Sequence, residues 1–377
     1  LLVHVARAGH EPVVVMGGGT GLIGDPSGKS AERQLLTDEI VRGNVESQRR
    51  IFSGVFSNAG LGEPRIVNNA DWLTGLGYIE VLRDVGKHFS INMMVQKESV
   101  RERLNNREQG ISYTEFSYMI LQSYDYWRLF NDDGVTVQMG GSDQWGNIVA
   151  GADLIRKISA SQGVDAPHVF GLTAPLVTKS DGGKFGKSES GAVWLTAERT
   201  SAYAMYQFWL NAADDDALRW LKNFTLLDQA TIAAIERAHL EDPGKREAQR
   251  ALALEATALV HGREQAEHAV SASKALFSGD IASLPESMLD EVFGEAPSSE
   301  HDRAQLDGEG VSFVDLLVET GLAESKKKSR EFLSAGSVSV NGAKVGLDDR
   351  LTPRMLLHGN VAAIRRGKKT WHVTRWR

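Results

Sequence analysis

Gly17-Gly18-Gly19-Thr20-Gly21-Leu22-Ile23-Gly24-Asp25-Pro26-Ser27-Gly28-Lys29-Ser30 is the stretch whose reading decides the fold. It follows Pro12-Val13-Val14-Val15-Met16, an apolar run with the composition of a buried parallel strand. Six glycines, a proline and several hydroxyl side chains then make a loop where backbone amides can approach a ligand closely. Such a loop at the carboxyl end of a strand is a natural seat for a nucleotide or another anionic group. Two phosphate motifs come near it, and both misfit. A P-loop needs four residues between its first glycine and Gly28-Lys29-Ser30, and counting back lands on Ile23. Gly19-x-Gly21-x-x-Gly24 satisfies the dinucleotide fingerprint. However, Asp25-Pro26-Ser27-Gly28 stands where that motif starts a helix, and no second strand ending in an acid follows. Residues 35–56 read instead as a charged helix.

A second loop has the same character. Lys184-Phe185-Gly186-Lys187-Ser188-Glu189-Ser190-Gly191 comes after the strand-like run Val169-Phe170-Gly171-Leu172-Thr173-Ala174-Pro175-Leu176-Val177. Two lysines three apart on a flexible loop can swing onto a polyphosphate, although an anonymous Lys-x-x-Lys is equally a solvated surface loop. With this loop the chain resembles the bacterial tyrosyl-tRNA synthetases, a class I aminoacyl-tRNA synthetase family. Lys184 to Ser188 is similar to that family's form of the KMSKS signature. The resemblance also covers 21–30, Asp84-Val85-Gly86-Lys87-His88-Phe89-Ser90 and Thr114-Glu115-Phe116-Ser117-Tyr118. It continues through Gly140-Gly141-Ser142-Asp143-Gln144-Trp145-Gly146-Asn147, Tyr206-Gln207-Phe208-Trp209 and Arg365-Arg366-Gly367-Lys368-Lys369, in the family's order.

The organisation along the chain agrees. Residues 1–198 alternate strand-like and helical segments, which suggests a parallel α/β sheet, with a mostly helical insertion at about 70–135. Residues 199–293 carry helical periodicity. A polar stretch at 294–310 reads as a linker. Beyond it, 311–377 reads as helix, helix, then a strand entering the tight turn at Asn341-Gly342. The fold class implied is α/β: a class I synthetase, Rossmann-like catalytic domain, an all-helical anticodon-region domain, and a small α+β RNA-binding module resembling one in a small-subunit ribosomal protein.

Charge separates these parts. The whole chain of 377 residues carries −7, but 311–377 holds 13 Lys+Arg against six acids, or +7, leaving −14 on the rest. A basic module on an acidic body is the footprint of a nucleic-acid-binding appendage. Its candidate contacts are Lys326, Lys327, Lys328, Arg330, Arg365, Arg366, Lys368 and Lys369. There is no cysteine, which excludes disulfides and thiolate metal sites and fits a reducing cytoplasm. No apolar run approaches the length of a membrane span.

By spacing alone, Tyr118, Gln122 and Asp125 project from one helix face at i, i+4 and i+7. That pattern is read either as an amino-acid pocket or as the solvated side of an amphipathic helix. The resemblance implies the pocket. It gives Asp125 the tyrosine hydroxyl, and Tyr118, Gln122 and Asp25 the α-ammonium. Gln144 takes the reacting carboxyl group and Asp143 the ribose hydroxyls. Gly141 allows close approach of the nucleoside, and Thr20 and Asn69 are further contacts. For Asp143 a helix N-cap is the alternative reading.

It further implies that Lys184, Lys187 and Ser188, with Lys29 and Arg33, neutralise the phosphates of ATP. Mg²⁺ is expected to arrive on those phosphates without a protein metal cage. The expected activity is tyrosine activation followed by transfer to tRNA(Tyr), by a cytoplasmic homodimer. The family's HIGH signature is absent, since the chain begins in what resembles the helix that carries it; His4 and His10 read as a helical and a helix-end residue. The expectation is that these 377 residues alone activate tyrosine poorly. The alternative is a non-catalytic paralogue that binds RNA or regulates.

Overall fold

A computed structural model describes the chain except residues 26–33, 106–109, 181, 183–184, 189–190, 295 and 368–369, and only the backbone of 98, 99, 102, 187, 188 and 191. It divides into two compact units, Leu1–Phe185 and Gly186–Arg377.

The first unit opens with α1 (Leu2–Arg7), β1 (Val13–Met16), α2 (Asp38–Asn58) and β2 (Arg65–Asn68). Short helices follow: α3 (Ala70–Leu73) and α4 (Tyr78–Glu80), which runs into a π-helical turn at Val81–Val85, then α5 (Ile91–Met94) and α6 (Glu98–Asn105). The long α7 (Tyr113–Asp133) leads into β3 (Val137–Gly141), α8 (Trp145–Ser161) and β4 (Phe170–Ala174). Both strand pairs are parallel. Met16 of β1 lies opposite Asn68 of β2, and Gly141 of β3 opposite Ala174 of β4. The strands therefore end together, as crossover helices require.

The sequence sets α7 in place at both ends. Ser112 accepts a hydrogen bond from the Glu115 N–H at 3.2 Å, the N-cap geometry of a Ser-x-x-Glu start. Gly134 ends the helix in the left-handed conformation, φ +67°. Between these ends Met119, Tyr126 and Leu129 are buried, and Tyr126 packs with Ala152 and Ile155 of α8 and with Val169. The Tyr126 hydroxyl lies 2.8 Å from the carbonyls of both Thr136 and Phe170, clipping α7 onto the starts of β3 and β4. Arg103 and Glu115 form an ion pair at 2.9 Å with each side chain 2% exposed, and the Arg103 Nε–H donates to the Gly110 carbonyl.

The second unit begins with the small antiparallel pair β5 (Lys187–Ser188) and β6 (Gly191–Ala192). Six helices follow: α9 (Ala202–Leu210), α10 (Asp214–Phe224), α11 (Gln229–Glu241), α12 (Glu247–His261), α13 (Arg263–Ser278) and α14 (Glu286–Phe293). Then come β7 (Ser298–His301), β8 (Val311–Ser312), α15 (Phe313–Glu319), α16 (Lys326–Ser334), β9 (Val338–Val340), β10 (Ala343–Lys344), β11 (Arg350–Leu351), β12 (Val361–Arg366) and β13 (Thr370–Trp376). The main sheet runs β10-β9-β12-β13-β7. Its core holds Phe313, Leu316, Leu317, Val338, Ile364 and Trp376.

The polar run 294–310, read as a linker, carries a strand and a 3-10 turn (Arg303–Leu306). β7 lies parallel on β13, and the Ser299 hydroxyl sits 2.7 Å from His301 Nε2 and 2.9 Å from His372 Nε2. Composition reports polarity, whereas an edge strand is held by backbone hydrogen bonds that any residue but proline can make.

Removing one partner of a buried ion pair leaves the other charge uncompensated. Arg103→Met is expected to destabilise the protein by about 3–5 kcal/mol, read from the urea midpoint. A loss under about 1 kcal/mol, the size of an exposed pair, contradicts the packing described.

Candidate active site

The glycine loop leaves β1 and is stitched to the end of β2 by two asparagines. Asn68 Oδ1 accepts from the Gly18 N–H at 3.1 Å, and Asn69 Oδ1 accepts from the Gly19 N–H at 2.7 Å. A Cβ at Gly18 would lie 2.1 Å from Asn68 Oδ1, so this contact is open only to glycine. The Asn69 amide then donates to Thr20 Oγ1 at 3.0 Å and to Asp125 Oδ2 at 2.8 Å. Trp72 Nε1 donates to the other oxygen, Asp125 Oδ1, at 2.7 Å.

Asp125 is thus a buried carboxylate, 5% exposed, with a donor on each oxygen. Burial pushes it up to about 6, against the pull of the Asn69 and Trp72 hydrogen bonds. A solvated helix face is therefore excluded at this position. Tyr118 and Gln122 lie half-buried two turns and one turn earlier on α7.

A second cluster forms where β3 ends. The Gln144 amide donates to Asp25 Oδ2 at 2.8 Å and lies 3.3 Å from Asp143 Oδ2, while Asn147 donates to Gln144 Oε1 at 3.2 Å. Gly141 is the last residue of β3, and a Cβ there would meet Asp143 Oδ1 at 2.5 Å. Asp143 is exposed within a 3-10 turn, Ser142–Gln144, and α8 has no side-chain cap. The N-cap reading of Asp143 is overturned: the 3-10 turn moves the cap position to Gln144. Lys29, Arg33 and Lys184 lie outside the described residues, and Lys187 and Ser188 are described as backbone of β5 alone.

In the second unit, α16 presents Lys326, Lys327, Lys328 and Arg330 to solvent. Two of these are paired on the surface, Lys326 with Asp315 and Lys328 with Glu331, both at 2.6 Å. Arg365 and Arg366 are half-buried instead. The Arg365 guanidinium lies 5.1 Å from the Trp371 ring centroid and that of Arg366 5.1 Å from Phe332, and Arg366 donates to the Leu322 carbonyl at 2.7 Å. Lys368 and Lys369 lie outside the described residues.

Residues 1–278 match the family described as tRNA synthetases class I (W and Y), and residues 289–374 match the tyrosine--tRNA ligase SYY-like C-terminal domain. A tyrosine--tRNA ligase of Geobacillus kaustophilus is 47% identical over 372 residues, 98% of this chain and 86% of the relative. Another, from Dechloromonas aromatica, is 45% identical over 100% of this chain and 87% of the relative. Among solved structures, a C-terminally truncated mitochondrial tyrosyl-tRNA synthetase of Aspergillus nidulans superimposes with TM-score 0.65 at 30% identity, covering 73% of this chain and 79% of that one. The chain belongs to the tyrosyl-tRNA synthetases.

The tyrosine branch is separated from the tryptophan branch by the C-terminal match and by the relatives, since the first family description covers both. For a tyrosyl-tRNA synthetase, the residue that sequence reasoning missed is Trp72. Its signal was present in Asn68-Asn69-Ala70-Asp71-Trp72, directly after a strand, but nothing in that spacing tells that the indole turns toward α7. Trp72→Phe removes a donor that holds the ionised form of Asp125. The Asp125 midpoint should therefore rise above about 6, followed by the carboxyl ¹³C shift against pH. An unchanged or lowered midpoint contradicts the assignment.

Proposed function

We propose that the Asp125 cluster is the tyrosine pocket of a tyrosine--tRNA ligase, and that the cluster around Gln144 handles the reacting end. The observation that carries this reading is the buried Asp125 with both oxygens oriented by Asn69 and Trp72. An oriented buried acceptor fits a phenol hydroxyl, and a side chain lacking that hydroxyl leaves it without its partner. Tyr118, Gln122 and Asp25 receive the α-ammonium. Gln144, whose amide rests on Asp25, turns to the tyrosine carboxyl, and Asp143 takes the ribose hydroxyls beside Gly141.

In the first step a carboxylate oxygen of tyrosine attacks the α-phosphorus of ATP. The bond from that phosphorus to the bridging oxygen breaks, and pyrophosphate leaves with the electron pair. The carboxylate is already a competent nucleophile, so the barrier is lowered by alignment and by neutralising phosphate charge. Lys184, Lys187, Ser188, Lys29 and Arg33 have that task, and Mg²⁺ enters on the phosphate oxygens of ATP. In the second step a ribose hydroxyl of the terminal adenosine of tRNA(Tyr) attacks the acyl carbon, the bond from that carbon to the phosphate oxygen breaks, and AMP leaves with the electron pair and the hydroxyl proton. The reaction belongs to the cytoplasm, where its tRNA is used.

Pyrophosphate exchange by the full-length protein, run with each of the twenty amino acids, should respond to tyrosine alone. Exchange with another amino acid, or with none, removes the reading. Ionised Asp125 is the acceptor, so its proton competes with the tyrosine hydroxyl. The KM for tyrosine should accordingly rise, approaching tenfold per pH unit, as pH falls below about 6.

The tRNA interface is assigned to α16. Binding through phosphates makes affinity fall steeply with salt, and Lys327→Ala should reduce the slope of log K against log salt by about 1. An unchanged slope would exclude Lys327 from the interface.

The homodimer is assigned to the apolar face of Tyr78, Ile79, Leu82 and Tyr113, which are 65%, 72%, 42% and 61% exposed. Tyr78 holds the Tyr113 phenol above its ordinary value, so α4 lies beside the start of α7. A clustered apolar surface of this kind is typical of an interface. Ile79→Asp should yield monomers in sedimentation; a dimer of unchanged affinity rules this face out.

A further inference from the structure

Lys97 belongs to none of the motifs above, yet it reaches the second cluster. It stands just before α6, where its carbonyl accepts from the Arg101 N–H at 2.8 Å. Its side chain is half-buried and runs across the first turn of α8, donating from Nζ to the Gly146 carbonyl. A Cβ at Gly146 would lie 3.4 Å from Lys97 Cδ and 3.6 Å from Nζ, so the lysine stem lies directly on the Gly146 backbone. Gly146 sits between Gln144 and Asn147, the two residues joined at 3.2 Å, and Gln144 in turn holds Asp25 at 2.8 Å.

This placement does nothing for α8 as a helix. A cation in the first turn opposes the macrodipole, where an acid would be favoured. The ammonium has also given up much of its water. Burial pushes Lys97 down to about 8, and Asp153, further along α8, draws it back. His88 and Lys157 line the same recess, and Lys157 is itself occupied with the His88 carbonyl at 2.7 Å. A desolvated cation at the wrong end of a helix is a standing cost. What it obtains is a fixed position for the turn that carries Gln144.

We propose that Lys97 is a positioning residue for tyrosine activation, holding the Gly146 carbonyl so that Gln144 and Asn147 keep their alignment toward Asp25. The inference rests on the role given to Gln144 above. The phenol hydroxyl of tyrosine is held by the cluster of Asp125, Asn69 and Trp72, which Lys97 does not touch. Loss of Lys97 therefore falls on kcat and spares KM.

The test is pyrophosphate exchange with tyrosine in the full-length protein, comparing Lys97→Met, Lys97→Arg, Gln144→Ala and the double variant Lys97→Met/Gln144→Ala. Lys97→Met should lower kcat about tenfold or more while the KM for tyrosine changes less than about threefold. Lys97→Arg, which keeps a cationic donor, should recover most of the rate. The double variant should be no slower than Gln144→Ala alone, because residues acting through one another are not additive. If Lys97→Met does not melt cooperatively, Lys97→Gln enters the same comparison.

Normal kcat in Lys97→Met with a slow Gln144→Ala overturns this inference and leaves the role of Gln144 standing. Strictly multiplied losses in the double variant overturn it as well. A normal Gln144→Ala overturns both.

Discussion

The bond from Asn69 to Asp125 is the constraint on which the rest of the first unit depends. A carboxylate taken out of water must be given donors or it takes up a proton. Here the donors come from the turn after β2, and the same Asn69 that supplies one of them also receives the Gly19 N–H of the glycine loop. One amide thus ties together three pieces of chain far apart in sequence: the loop after β1, the end of β2 and the middle of α7. The first two do not hold their positions alone. Among the described residues the loop carries one short 3-10 turn, Thr20–Leu22, and β2 is only four residues long.

α7 gives this arrangement its rigidity. It is capped at Ser112, stopped at Gly134, pinned by the buried Arg103–Glu115 pair and clipped to β3 and β4 through Tyr126. A side chain mounted on such an element keeps its angle. The basic face of the second unit is built differently. Lys326 and Lys328 of α16 are exposed and held by surface ion pairs that contribute little to stability. Arg365 and Arg366, although part of the same sequence signal, lie against aromatic rings and act partly as core.

The difference between what was readable and what was not follows from the range of the interactions. Strand β1, helix α7 and the two helices after residue 311 were readable because apolar periodicity, caps and turn residues act within a few positions. Tyr118, Gln122 and Asp125 could be placed on one face for the same reason, but whether that face met water or protein could not. Asp143 shows the limit at short range: its spacing fitted an N-cap, and one 3-10 turn moved the cap to Gln144. At 294–310, polarity spoke for a linker, while the strand there exists because β13 offers an open edge.

By itself the sequence determined the alternation of strands and helices before residue 198, the glycine loop at a strand end, the separation of charge between body and tail, and, through its motifs taken together, the family. These are properties of local chemistry and of residue order. Only the tertiary structure decided that Asp125 is buried, that Asn69 and Trp72 hold its two oxygens, that Gln144 rests on Asp25, and that Lys97 bears on Gly146, just after Gln144. Each of those contacts joins residues tens of positions apart, and a hydrogen bond of 2.8 Å depends on how the elements pack, which no spacing along the chain records.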